Sequence, residues 1–140
     1  MDPKKDIAVL RVDDLPRAAR MTLGEAPAER GEDGAAIGYP GGGDRTISEA
    51  RVRARTEAVG RDIYSKRTVT REIYVLRAVV RQGNSGGPLV DTAGNVRGVV
   101  FAAAADNEEE SYALTESEIR TALSAAGGRT QAVKTGGCAI

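Results

Sequence analysis

Apolar and polar positions alternate most cleanly between residues 50 and 58. Ala50, Val52, Ala54, Thr56 and Ala58 fall on one side, and Arg51, Arg53, Arg55 and Glu57 on the other. A period of two predicts a strand with one face in a core and one in water. The arginines are therefore read first as a solvated sheet face, with a basic binding patch as the lesser alternative. Upstream, "DIAVLRVDDLP" sets Ile7, Val9 and Val12 between Pro3 and Pro16 and predicts a strand. Residues 17–33 show no period and predict surface loop. "AAIGYPGGG" (35–43) predicts a short apolar strand broken by Pro40 and the glycines after it. "EIYVLRAVV" (72–80) predicts another strand. "PLVD", "TAGN" and "VRGVVFAAAA" predict two strands joined by a turn, because Gly94 and Asn95 tolerate positive φ. "YALT" adds a short strand.

A helix follows. Thr115 with Glu118 fits a capping box, Ile119, Ala122 and Leu123 share a face, and Gly127 and Gly128 stop it. The order is many strands and then one helix, without βαβ alternation. That pattern disfavours a doubly wound sheet and predicts an all-β antiparallel barrel with a short C-terminal helix. The tail "RTQAVKTGGCAI" is expected to be loose unless Cys138 pins it. A lone cysteine reads equally as a free thiol or as half of a disulfide, and it does not decide the compartment.

Bulk composition narrows the function classes. The 140 residues suit one domain or a piece of a larger one, and 41% apolar content can build a core. Twenty basic residues cancel 20 acidic ones, so no global field draws in a polyanion. Aromatic content of 4% leaves few stacking platforms, and nucleic acid is not an expected partner. No stretch nears the roughly 18 apolar residues of a membrane span. "MDPKKD" is polar and predicts no signal peptide at Met1.

"GNSGGP" (83–88) carries the candidate chemistry. If Ser85 attacks a carbonyl, the carbonyl oxygen becomes an anion and needs donors already aimed at it. Glycine permits the tight curl that turns two backbone N–H groups the same way. Gly83 and Ser85 can supply that pair, Gly86 and Gly87 admit a close neighbour, and Pro88 fixes the exit. By composition alone the hexamer is a tight turn; its setting between apolar strands favours the chemical reading. The chain has no histidine, so the usual base for a serine is missing. Tyr39 and Tyr74 are expected to pack in the core or a cleft. Pro40 to Gly43 lack the Gly-Lys-Ser/Thr of a phosphate loop, and no Cys/His spacing supports a metal site.

"GNSGGPLVD", "GNVRGVVF", "DIAVLRV", "IGYPGGG" and "YALTESEI" together resemble the chymotrypsin-like (trypsin-fold) serine peptidases. The likeness is to the bacterial branch that includes HtrA-like proteases, and especially to actinobacterial membrane-anchored periplasmic proteases linked to acid and oxidative stress resistance. It covers residues 2–126. It implies two six-stranded barrels with the site between them and a triad in the chain order histidine, aspartate, serine. Ser85 is then the nucleophile, Asp6 the triad aspartate, and the Gly83 and Ser85 N–H groups the oxyanion hole. Val79 is the floor of the substrate pocket, and Val99, Val100, Phe101, Ala102 and Ala103 form its wall. Neither cofactor nor metal is implied.

The resemblance further implies a C-terminal fragment. Residues 1–33 would be the end of the first barrel and the linker, 34–126 the second barrel with its helix, and 127–140 a flexible tail. The first barrel and its histidine would precede Met1, and an anchor outside the chain would hold the protein in the periplasm or another extracytoplasmic space. The partners implied are a peptide or protein substrate and the missing barrel. These residues alone are expected to be inactive and either marginally stable or prone to aggregate through unpaired strand edges. Asn84 replaces the aspartate of zymogen-derived digestive proteases and cannot pair with a freed N-terminal ammonium. The alternative is a barrel that binds peptide along a strand edge without catalysis.

Overall fold

A computed structural model describes residues 1–14 and 20–135. Six strands form a closed antiparallel barrel: β1 (Asp33–Gly38), β2 (Thr46–Arg61), β3 (Thr68–Arg77), β4 (Pro88–Asp91), β5 (Val96–Ala103) and β6 (Glu110–Thr115), followed by helix α1 (Glu116–Ala126). The order around the barrel is β1-β2-β3-β6-β5-β4, closed by β4 against β1 through Gly34↔Asp91, Ala35↔Val90 and Ala36↔Leu89. The expected all-β barrel with a terminal helix is what forms. Closure is partial at the ends: β1 covers only residues 46–51 of β2, and β6 covers only residues 73–77 of β3, so the outer lengths of these two strands keep one edge without a ladder partner.

The predicted alternation in β2 holds through Val52; a bulge between Val52 and Ala54 then breaks the period, Thr56 is exposed, and Arg55 pairs with buried Tyr74. Ala50 and Val52 enter the core with Ala36, Tyr74, Leu76, Leu89, Val100 and Ala113. Arg51, Arg53 and Arg55 are exposed and pair with Asp33, Glu110 and Glu72. Their positive charge is thus met by carboxylates on neighbouring strands rather than offered as a bare basic patch.

Two segments differ from their predicted form. Residues 7–12 join no named strand; a single bridge, Asp2↔Ile7, is their pairing, and Leu10 is 84% exposed. A period-two pattern makes a strand only when a second strand accepts its ladder bonds, and none lies alongside among the described residues. The helix is anchored differently from its predicted apolar face. Leu123 is half exposed, while Glu116 and Glu118 are the buried residues of α1. Thr115 caps the helix by accepting from the Glu118 N–H. The Glu118 carboxylate instead accepts from Glu72 N–H at 2.8 Å.

Residues 20–32 lie against the barrel. Val96 donates to the Thr22 carbonyl, and Gly24 donates to the Val96 carbonyl. Arg97 pairs with Glu32 at 2.9 Å, and Arg120 donates to the Gly24 carbonyl at 2.6 Å. Cys138 lies outside the described residues.

Candidate functional site

The loop between β3 and β4 carries the "GNSGGP" hexamer, and its backbone amides divide into two sets. Asn84 donates to Arg81 O at 3.0 Å, Gly86 to Val100 O at 2.8 Å and Gly87 to Asn84 O at 3.0 Å. The N–H groups of Gly83 and Ser85, which alternate with these, donate to no protein acceptor among the described residues. The engaged amides fix the curl; the other two are available to a ligand. Gly83 sits at φ +101°, and a Cβ there would strike the Tyr39 carbonyl oxygen. At Gly87 a Cβ would strike the Ile37 carbonyl oxygen. Both positions therefore require glycine, one for conformation and space and one for space alone.

The loop is braced from the side. Gly41 donates to Gln82 O at 2.8 Å and Tyr39 to Gly83 O at 3.4 Å, so the turn at Pro40–Gly42 supports the serine loop. This gives the Pro-Gly-Gly-Gly stretch a structural use in place of the rejected phosphate loop. Tyr39 is 56% exposed rather than packed in the core. Asn84 is 2% exposed, and its Oδ1 has no partner among the described residues.

The Ser85 hydroxyl is exposed and donates to the Phe101 carbonyl at 3.4 Å. A bulge in β5 makes this contact possible. Val100 pairs with Ala113 and Ala102 with Tyr112, leaving Phe101 unmatched between them. Pairing of β5 with β4 begins at Pro88↔Val99 and runs away from residues 101–103. One edge of this three-residue stretch is thus open beside Ser85, and an extended peptide could add there as a strand.

The sequence-derived wall residues separate by face. Val100 is 1% exposed and belongs to the barrel core, so only its backbone can reach a ligand. Val99, Phe101 and Ala102 are half-buried and Ala103 is exposed. The Phe101 ring meets that of Tyr112 with centroids 6.5 Å apart, which places Tyr112, unmarked by sequence reasoning, at the same wall. Val79 is 45% exposed and opens on a cleft of roughly 570 Å³ shared with Ala78, Arg51, Arg77 and Glu109.

Asp6 is exposed at φ +59°, inside the turn closed by the Asp2↔Ile7 bridge. No hydrogen bond joins it to Ser85 among the described residues. Its immediate neighbours are held by β3, the β2–β3 connection and helix α1. Lys5 Nζ pairs with Glu118 at 2.6 Å and donates to Thr70 O at 3.0 Å. Arg71 Nε donates to Lys4 O at 2.8 Å, and Ile63 N donates to Pro3 O at 3.1 Å. Sequence reasoning marked Glu118 as a capping residue only, and it gave Lys5, Thr70 and Arg71 no role. Contacts between residues 65 or more apart leave no local pattern to read.

A second buried network ties Ala28 to the helix through Tyr74. The Tyr74 hydroxyl donates to Glu116 at 2.5 Å and accepts from Ala28 N at 2.8 Å. Burial and the adjacent Glu116 carboxylate push the Tyr74 phenol well above its ordinary range. Burial raises Glu72 too, but hydrogen bonds from Arg55 and Thr115 outweigh it and hold its carboxyl below the usual value. No group of His, Cys, Asp or Glu that could hold a metal ion occurs among the described residues.

Comparison with known proteins places this geometry. Residues 1–99 match the trypsin-like peptidase domain. Serine protease Rv3671c of Mycobacterium tuberculosis is 46% identical over 138 residues, 98% of this chain and 34% of that protein. A probable periplasmic serine endoprotease DegP-like from Bartonella henselae is 32% identical over 117 residues, 81% of this chain and 22% of that protein. The crystal structure of the active form of the Rv3671c protease superposes with a TM-score of 0.92 at 45% identity, covering 99% of this chain and 61% of that one. The chain spans about a third of the length of the first of these relatives.

Proposed function

We propose, because this chain belongs to the trypsin-like peptidase domain family, that it supplies the nucleophile half of a serine endopeptidase. Ser85 Oγ attacks the scissile carbonyl carbon as its proton passes to a general base. The carbonyl oxygen takes the negative charge and is met by the Gly83 and Ser85 N–H groups. Collapse expels the amine, which leaves with the proton from the base, and water then hydrolyses the acyl–serine ester by the same steps. Asp6 is the carboxylate that orients the base. The alternation of engaged and available amides around Ser85 carries this reading, because a plain turn has no need to leave the Gly83 and Ser85 donors free on either side of Asn84.

The base lies outside these 140 residues, which contain no histidine. The substrate is a peptide or protein segment laid along residues 101–103 as an added strand, with an apolar side chain directed to Val79. Residues 1–33 act as the end of a first barrel and linker, and 34–126 as the second barrel. The chain works in the periplasm or another extracytoplasmic space, as the name of the DegP-like relative suggests, with a membrane anchor elsewhere in the protein.

The test compares three proteins by labelling with a fluorophosphonate, which reports serine activation whatever the natural substrate. The intact protein should be labelled. Its Ser85→Ala variant and the isolated 140 residues should not be. Peptide turnover by the isolated chain that vanishes in Ser85→Ala would refute the external base. An intact protein that binds peptide but is never labelled would favour the non-catalytic barrel, a reading that the missing histidine supports.

A further inference from the structure

The turn bearing Asp6 marks a boundary in how the chain is held. Residues 3, 4 and 5 are each fixed to the barrel: Pro3 O by Ile63 N–H, Lys4 O by the Arg71 guanidinium, and Lys5 Nζ by Glu118 and Thr70 O. Residues 8–14 make no hydrogen bond to the barrel among the described residues; their one ion pair, Arg11–Asp13, is internal. The position of Asp6 relative to the barrel is therefore set from its N-terminal side.

Of the three fixings, the one at Lys5 is adjacent to Asp6 and ends on a rigid anchor. Glu118 has an 8% exposed side chain. Its backbone N–H is capped by Thr115 and its Oε1 accepts from Glu72 N–H in β3, so both its backbone and its carboxylate are held. Lys5, by contrast, is a flexible side chain, placed by this short ion pair and by its bond to Thr70 O.

We propose that Glu118 is a positioning residue for Asp6, acting through Lys5. The ion pair transmits the placement of helix α1 to the carboxylate that orients the base. Because α1 also meets β5, the strand that offers Phe101 O to Ser85, one helix references both the serine and the aspartate. The inference rests on the reading of Asp6 given above. Its effect is on geometry: a displaced Asp6 no longer holds the imidazole in register and no longer stabilises its charged form.

The experiment measures the fluorophosphonate labelling rate of the intact protein against pH. Glu118→Gln and Lys5→Met should each slow labelling about 10- to 100-fold, and Asp6→Asn roughly 10⁴-fold. Displacing the Asp6 carboxylate lowers the pKa of the base, and Glu118→Gln removes a further negative charge, so the pH midpoint of the rate should fall in Glu118→Gln. Lys5→Arg should keep most of the rate. With fluorescein-labelled casein, kcat should drop at unchanged KM. Parental rate and midpoint in Glu118→Gln and Lys5→Met, beside a slow Asp6→Asn, would overturn the latch while leaving the peptidase reading intact. A parental rate in Asp6→Asn would overturn the role of Asp6 and the latch together. Should Glu118→Gln fail to fold, Lys5→Met decides the matter, since Lys5 is one-third exposed.

Discussion

The serine loop and the N-terminal segment are held by different means. The loop at 81–88 is fixed by its own backbone and by the backbones of β5 and the Pro40–Gly42 turn; its essential glycines abut carbonyl oxygens, not side chains. The segment at 1–14 is fixed by Lys5 reaching to α1 and β3, by Arg71 reaching back from β3 and by one backbone bond from Ile63 to Pro3, and beyond Ile7 it presents Leu10 at 84% and Val12 at 55% exposure. A backbone-braced loop can be complete within one barrel. A segment tethered largely through side chains leaves apolar positions bare. The difference teaches that the curl of the serine loop is held by backbone bonds within these residues, whereas Asp6 is placed through contacts made by its neighbours in sequence.

The sharpest way to break the comparison is Gly83→Ala in the intact protein. A Cβ there meets the Tyr39 carbonyl at φ +101°, so the loop must open and its two free amides diverge. Loss of one such donor costs about 2.7–4 kcal/mol of transition-state stabilisation, or 10²–10³ in kcat. An undiminished kcat would mean that the loop is not self-braced.

The next largest effect is expected from Tyr74→Phe. It strands the Glu116 carboxylate and the Ala28 N–H in the interior. A buried group left without its partner costs about 1–3 kcal/mol. Thermal melting should show that loss, and amide exchange should quicken at residues 24–32 before it does in the serine loop. Equal acceleration in both would erase the distinction between them.

Acid should separate the regions further. Glu72, Asp91 and Asp33 are held below the ordinary carboxylate range in the folded chain. For Glu72 and Asp91 burial works the other way and is outweighed by hydrogen bonds; for Asp33 the Arg51 hydrogen bond dominates. A depressed folded pKa contributes stability that is present above the unfolded value, near pH 4, and is lost as pH falls through the folded value. The melting temperature should therefore drop below about pH 4, and a flat profile from pH 7 to pH 3 would contradict those ion pairs. The smallest effect belongs to Arg53→Ala. Its 3.6 Å pair with Glu110 lies half in solvent and is worth at most about 1 kcal/mol; a larger loss would assign the arginine face more than solvation.

Sequence reading reached the strands, the barrel, the cap at Thr115 and the serine hexamer, because each is encoded within a few neighbouring residues. The strand at 7–12 failed for a physical reason: its alternation is real, but no partner strand lies beside it among the described residues. The resemblance assigns Val100 to the pocket wall with its neighbours; the unbroken apolar run gives no parity to separate them, and its burial and pairing with Ala113 show that its side chain faces the core. The buried acids at the start of α1 were illegible, since a glutamate reads as solvent-facing until a tyrosine or a lysine from a remote segment is found against it.

The unmatched residue in β5 has one more implication. Val100 and Ala102 both find partners on β6, and the spare position between them is what turns the Phe101 carbonyl toward Ser85. Removing any single residue from that run would let the ladder close without interruption and carry the carbonyl back into the sheet. Apolar replacements that keep the count should be absorbed there, whereas a one-codon deletion should disarm the serine without touching it.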